Sequence, residues 1–255
     1  MSIAPEWLAF DIETKPRPDL VAKYTKPFAD FDESAVKCGN IKDPAKIKEK
    51  IDASRAQHEA DRAAYWKKAY EDAALDPFTG EILCIGVASD VGAVEILAEK
   101  TEAATLRAFW QLWELRDCVV TKFVFWSGCG DASKQFDIDY IVTRSRINRV
   151  PVPSGVRQGR YYSNRIVDLA KEFLLYQRER YCSLTKAAEM LGLYAEHTDI
   201  TPKTDSDPVQ GMNFWQWWEG SAVQDHSAEE QRGLACKYLH NDILTLKYLA
   251  PIILS

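Results

Sequence analysis

The sequence predicts an α/β fold, a layered sheet flanked by helices. Short apolar runs at residues 7–14, 81–89 and 119–126 are dense in β-branched and aromatic residues, the composition of buried strands. Longer segments between and after them space their apolar residues at helical period. Strands and helices then alternate after a leading strand and hairpin, which is the order of an α/β sheet. A chain of 255 residues can bury a substantial core. Residues 1–255 are expected to form one domain, with residues 16–75 as a largely helical insertion within it.

The elements follow in order. Residues 7–14, WLAFDIET, open as a strand, and the prolines of KPRPDL stop it. Residues 26–44, with Pro27, Pro44 and Gly39-Asn40, form a loop with turns. Residues 45–74 lack Gly and Pro and are rich in Ala, Lys, Glu, Asp and Arg, which favours a long, mostly exposed helix. Its apolar stripe is thin, so it reads as a docking surface rather than core. Residues 76–80, DPFTG, turn into the strand at 81–89, and 93–98 is its hairpin partner.

A helix spans 102–115 and a strand 119–126. The loop SGCGDAS covers 127–133, and a helix spans 136–147. After a Pro/Gly loop at 151–162 come a strand at 161–167 and a helix at 168–176. A Ser-capped helix covers 183–193 and a polar, mobile loop 198–210. A short aromatic helix lies at 213–219 and a long closing helix at 228–253, bent near Pro251.

Side chains alternate faces along a strand, so Asp11 and Glu13 point the same way and Ile12 points back into the core. Adjacent carboxylates repel unless a cation sits between them, and hard oxygen ligands suit Mg²⁺ or Mn²⁺. A strand ending in a solvated acidic turn is the plain alternative. Two further segments supply acids. Asp137 opens the helix FDIDYIVTR, and Asp242 ends YLHND in the last helix, where Tyr238 shares its face four residues earlier.

Together, LAFDIET, FDIDYIVTR and YLHND resemble the three motifs of the DEDD 3′–5′ exonucleases of the ribonuclease H-like superfamily. The Tyr-x-x-x-Asp form of the third motif resembles the tyrosine (DEDDy) branch, which includes the proofreading exonuclease domains of family B DNA polymerases. The other branch has a histidine where this chain has Lys237. SLTKAAEMLGL also looks like the helix that often precedes the third motif. The resemblance covers roughly residues 7–14 and 76–253, not the insertion.

The resemblance implies a mixed five-stranded sheet with flanking helices and a helical insertion after the first strand. It also implies a two-metal-ion centre of Mg²⁺ or Mn²⁺. In it Asp11 bridges both ions, Glu13 and Asp242 complete one site, Asp137 holds the second through water, and Tyr238 orients the attacking water. The implied activity is hydrolysis of single-stranded DNA from its 3′ end in phage or bacterial replication, proofreading or repair. A polymerase or replication protein would be a separate partner chain. An RNA-trimming exoribonuclease and a non-catalytic module that binds nucleic acid or a polymerase are the alternatives. A binding-only relative has no reason to keep all five motif residues.

The second-motif loop departs from the family by carrying Asp131, and FDIDY offers a second acid, Asp139. Asp137 sits in the matching frame, which leaves Asp139 as an exposed helix acid and Asp131 as a turn residue. Asp168 reads as a helix cap or a support of the site, and His240 as a helix-surface residue.

The formal charge of −6 provides no overall attraction to nucleic acid, so binding needs a local basic patch. Residues 140–167 hold six arginines and no acid, with Arg144, Arg146, Arg149, Arg157 and Arg160 as candidate phosphate contacts and a solvated face as the alternative. Trp215, Trp217 and Trp218 read as core, with substrate contact as the alternative. In the insertion, Lys37, Lys42, Lys46, Lys48 and Lys50 suit a lid or partner-docking arm, against plain surface decoration. The six cysteines are scattered, no membrane span is present and no export signal is evident, so the expected location is cytoplasmic.

Overall fold

In the computed structural model, residues 6–115, 121–128, 135–158, 161–177 and 179–255 are described. The chain runs β1 (Trp7–Pro16), α1 (Pro18–Tyr24), a 3₁₀ turn (Glu33–Ala35), α2 (Pro44–Ala74), β2 (Gly80–Ser89), β3 (Glu95–Leu97), α3 (Glu102–Leu115) and β4 (Lys122–Phe125). It continues through α4 (Phe136–Ile147), β5 (Arg157–Gln158), β6 (Tyr161–Tyr162), β7 (Ile166–Asp168), α5 (Leu169–Phe173), α6 (Leu184–Met190), α7 (Leu193–Glu196), α8 (Phe214–Glu219) and α9 (Ala228–Leu254). The residues divide into two compact units, Pro16–Gly80 and the remainder of the chain.

The larger unit carries a mixed five-stranded sheet in the order β3-β2-β1-β4-β7. β1 runs parallel to β4, with Leu8 opposite Phe123, and β4 runs parallel to β7. β3 returns antiparallel to β2 as the expected hairpin. Strand alternation divides β1 cleanly between two cores. Leu8, Phe10 and Ile12 pack with Phe109, Trp110 and Trp113 of α3 and Ile138 and Ile141 of α4. Trp7 and Ala9 pack on the other face with Phe214 and Trp217 of α8 and Leu239, Ile243 and Leu246 of α9.

The α9 helix starts on a capping box, in which Ser227 and Glu230 satisfy each other's backbone N–H groups. It lies close against β2 at Gly86, where a Cβ would stand 2.6 Å from Ile243 Cγ1. Trp217 and Trp218 are buried in this core.

The smaller unit is built on α2, whose 31 residues span about 46 Å. Asp43 caps it by accepting from Ala45 N–H, and Pro44 fills the first turn, where a missing N–H costs nothing. Ala73 and Ala74 are its buried residues. The preceding loop folds back along the helix. Phe28 meets His58 and Tyr65 at ring separations of 5.1 and 5.3 Å, and Tyr65 donates to the Lys26 carbonyl.

At several elements the structure differs from what the sequence predicts: the loop expected at 151–162 contains the paired strands β5 and β6, and the helix expected at 168–176 ends at Phe173. The strand stop at residues 16–18 is also a helix start, because Pro18 serves as the first residue of α1. The strand expected at 161–167 is broken by a turn in which Ile166 N–H donates to Ser163, separating β6 from β7. The helix expected at 183–193 ends at Met190, and Gly192 in the left-handed region (φ 75°) starts α7. Residues 119 and 120 of the expected strand, and residues 129–133 of the following loop, lie outside the described residues. Among the described residues no helix is long and apolar enough to cross a membrane.

Candidate metal centre

The alternation that puts Trp7 and Ala9 against α9 also carries Asp11 and Glu13 to that face, beyond the apolar part of the strand. One turn after Tyr238, α9 presents Asp242 toward them. A carboxylate oxygen from each of Asp11, Glu13 and Asp242 lies within 4.8 Å of the other two. Asp137, buried in the first turn of α4, hydrogen-bonds to Asp11, and the backbone N–H of Ile12 serves both carboxyls. Four acids from three separated segments therefore converge. Asp139 turns outward on the same helix and accepts from Tyr162 Oη at 2.6 Å.

Burial and mutual repulsion act together on these groups. Burial first, and Asp242 second, push the Asp11 carboxyl up to about 7. Burial, reinforced by Asp11, pushes Glu13 and Asp137 well above the usual carboxylate range. Asp242 is raised by burial and pulled back by Lys203. Tyr238 is raised by burial and by the neighbouring carboxylates, so its phenol stays protonated.

Lys203 joins this cluster, and the sequence carries no sign of it. It lies in the polar segment after α7, read as a mobile loop, and its ammonium pairs with Asp242 and sits 3.1 Å from the centroid of the Tyr238 ring. Its charge opposes the rise at Asp11, Glu13 and Asp242 alike. A lone lysine in a polar loop has no periodicity to betray it.

A further acid, Asp168, acts electrostatically on Asp137. Asp168, at the end of β7, accepts from Ser127 N–H and Oγ at 3.2 and 2.5 Å and caps α5 through Ala170 N–H. Buried Lys171 stands 3.3 Å from it. Asp168 thus both caps a helix and holds the chain leaving β4. His240 is exposed.

The basic stretch does not act as one surface. Arg144 is buried, with 2% of its side chain exposed, and forms a bidentate pair with Glu102. It has no face to offer a phosphate, which corrects its assignment as a nucleic-acid contact. The reason is helical period: Arg144 follows Asp137, Tyr140 and Ile141 on the inward side of α4. Arg146 and Arg149 are exposed. Arg157 lies half-buried beside Tyr162, 5.1 Å from its ring centroid, and Arg160 lies outside the described residues, as does Asp131.

No known family model matches the sequence, and no curated protein matches it. The whole fold, however, has a counterpart among solved structures. The chain is similar in fold to part of a family B DNA polymerase. That structure is the family B DNA polymerase from the hyperthermophilic archaeon Pyrobaculum calidifontis, matched with a TM-score of 0.54 and 15% sequence identity over 99% of this chain. The chain spans 25% of that polymerase's length. The likeness shows the α/β fold, with its mixed five-stranded sheet and flanking helices, as the ribonuclease H-like resemblance implies.

Proposed function

We propose that this protein is a metal-dependent 3′–5′ exonuclease of the DEDDy type that hydrolyses single-stranded DNA. The observation that carries the reading is the convergence of Asp11, Glu13 and Asp242, with Asp137 bonded to Asp11, from strand and helix segments far apart in sequence. Four acids, with Glu13 and Asp137 buried and Asp11 and Asp242 half-buried, stand against one lysine, and a donor set made only of carboxylate oxygens fits Mg²⁺ or Mn²⁺. Asp11, Glu13 and Asp242 would hold one ion, and Asp11 with Asp137 a second. Bound there, the ions would lower the pKa of water and stabilise charge on the leaving oxygen.

The protein's own groups do the rest. Tyr238, kept protonated, donates a hydrogen bond that orients the attacking water. Lys203, already seated over that ring, offers positive charge toward a phosphate on the same side. The rigid strand and the capped helix hold these side chains in place before substrate arrives.

The test uses purified protein with Mg²⁺ or Mn²⁺ and end-labelled single-stranded DNA and RNA side by side. Stepwise shortening of the DNA from its 3′ end is expected, falling to background in EDTA and in Asp11→Ala. Activity at the wild-type rate in Asp11→Ala would refute the assignment. Shortening of RNA alone would move the reading to an exoribonuclease.

A further inference from the structure

Beside the carboxylates opens a small cleft of about 240 Å³ whose lining includes Asp11, Asp242, Lys203, Trp126, Gly128 and Tyr181. It is smaller than the ~300–1,000 Å³ of a pocket that encloses a whole small ligand. Such a cleft suits one end of a polymer whose remainder stays outside. The mechanism above uses Asp11, Asp242 and Lys203 on one side and leaves the other side, built around Tyr181, without a role.

Tyr181 is 72% exposed, yet its position is tightly specified. The next residue, Cys182, donates its N–H to the Gly128 carbonyl at 2.9 Å and accepts from Trp126 Nε1 at 2.9 Å. Residues 126–128 are themselves held by Asp168 through Ser127. Gly128 has φ +72°, and a Cβ there would stand 2.7 Å from Tyr181 Cε2 and 3.2 Å from Cζ. The bare glycine therefore seats one side of the ring while the rest stays open to solvent. An exposed aromatic ring gains little by being held this way for packing alone. Held at the mouth of a phosphodiesterase cleft, it meets what every nucleic acid end presents, the flat apolar face of a base.

We propose that Tyr181 is the stacking platform for the terminal base of the strand being cleaved, an inference that rests on the exonuclease reading of the same site. Stacking is tolerant of base identity because each base has a π-face. The platform would seat any 3′ end and leave chemistry to the carboxylates across the cleft.

The experiment compares wild type, Tyr181→Ala and Tyr181→Phe on two single-stranded DNAs, one ending in a normal 3′ nucleotide and one ending in an abasic residue. Anisotropy in EDTA reads binding, and single-turnover cleavage in Mn²⁺ reads function. Wild type is expected to prefer the base-bearing end by roughly tenfold. Tyr181→Ala should lose that preference, binding both ends as wild type binds the abasic one, and Tyr181→Phe should restore it. A structural role would weaken both substrates equally. Tyr181→Ala that keeps the wild-type preference overturns the platform, and so does a wild type that shows none; if wild type still cleaves, the exonuclease reading survives either result. A wild type that neither binds nor cleaves DNA overturns both.

Discussion

This fold buries charge in two ways, and the contrast between them separates scaffold from site. Between α3 and α4, Glu102 meets Arg144 through two bonds of 2.8 and 2.6 Å and also accepts from Asn148 Nδ2 and the Ile82 N–H. One negative charge faces one positive charge, and both carboxylate oxygens are engaged. Between β1, α4 and α9, four carboxyls gather, and Lys203 is the cation that acts on Asp11, Glu13 and Asp242. A compensated pair joins elements and asks for nothing more. An uncompensated cluster costs stability, and a protein has no folding reason to assemble one.

The largest effect belongs to the balanced pair. Arg144→Ala leaves Glu102 buried without its partner and should destabilise the protein by about 3–5 kcal/mol, read by urea unfolding. It should leave the salt dependence of DNA binding untouched. A mild loss of stability together with weaker, less salt-dependent binding would return Arg144 to the substrate surface.

The unbalanced cluster should respond in the opposite sense. The Asp11 carboxyl rises from its ordinary 3.8 to about 7 on folding. Between those values the folded state holds a proton that the unfolded chain has released, so stability falls as pH rises through this window. The cluster titrates as a unit, but the sign is common to its raised members. In EDTA, wild type should therefore melt lower at pH 8 than at pH 5. Asp11→Asn removes one of the repelling charges; it should flatten that slope and raise stability at pH 8 by about 1–2 kcal/mol. A variant that melts lower than wild type at pH 8 would mean the carboxylate is a structural acceptor.

The same contrast explains what could be read in the sequence. The bounds of α3 and α4 follow from helical periodicity, and the length of α2 follows from composition. β1 announced both its core faces and its paired acids, because alternation is a local property. Arg144 was misread because a count of arginines ignores the face on which each lies. The spacing from Asp137 through Tyr140 and Ile141 held the signal for its burial. Lys203 and Tyr181 had no such signal. Each acquires its place from partners far along the chain, Asp242 for one and Gly128 for the other. The helix at Pro18 was missed because proline both ends strands and begins helices.

The smallest effect tests what remains of the basic stretch. Arg146 and Arg149 are exposed on and just after α4, the helix that carries Asp137. If they touch the phosphates of a bound strand, each contact releases counterions, and binding weakens with salt at about 0.7 in the log–log slope per charge. Replacing both with alanine should reduce that slope by about 1.4 and weaken binding a few-fold at low salt. The fold should hold, because exposed charges contribute little to stability. Titration of single-stranded DNA across a salt series reads the slope directly. An unchanged slope would make these arginines a solvated face, and the substrate contacts would then lie on the cleft side, with Lys203 and Tyr181.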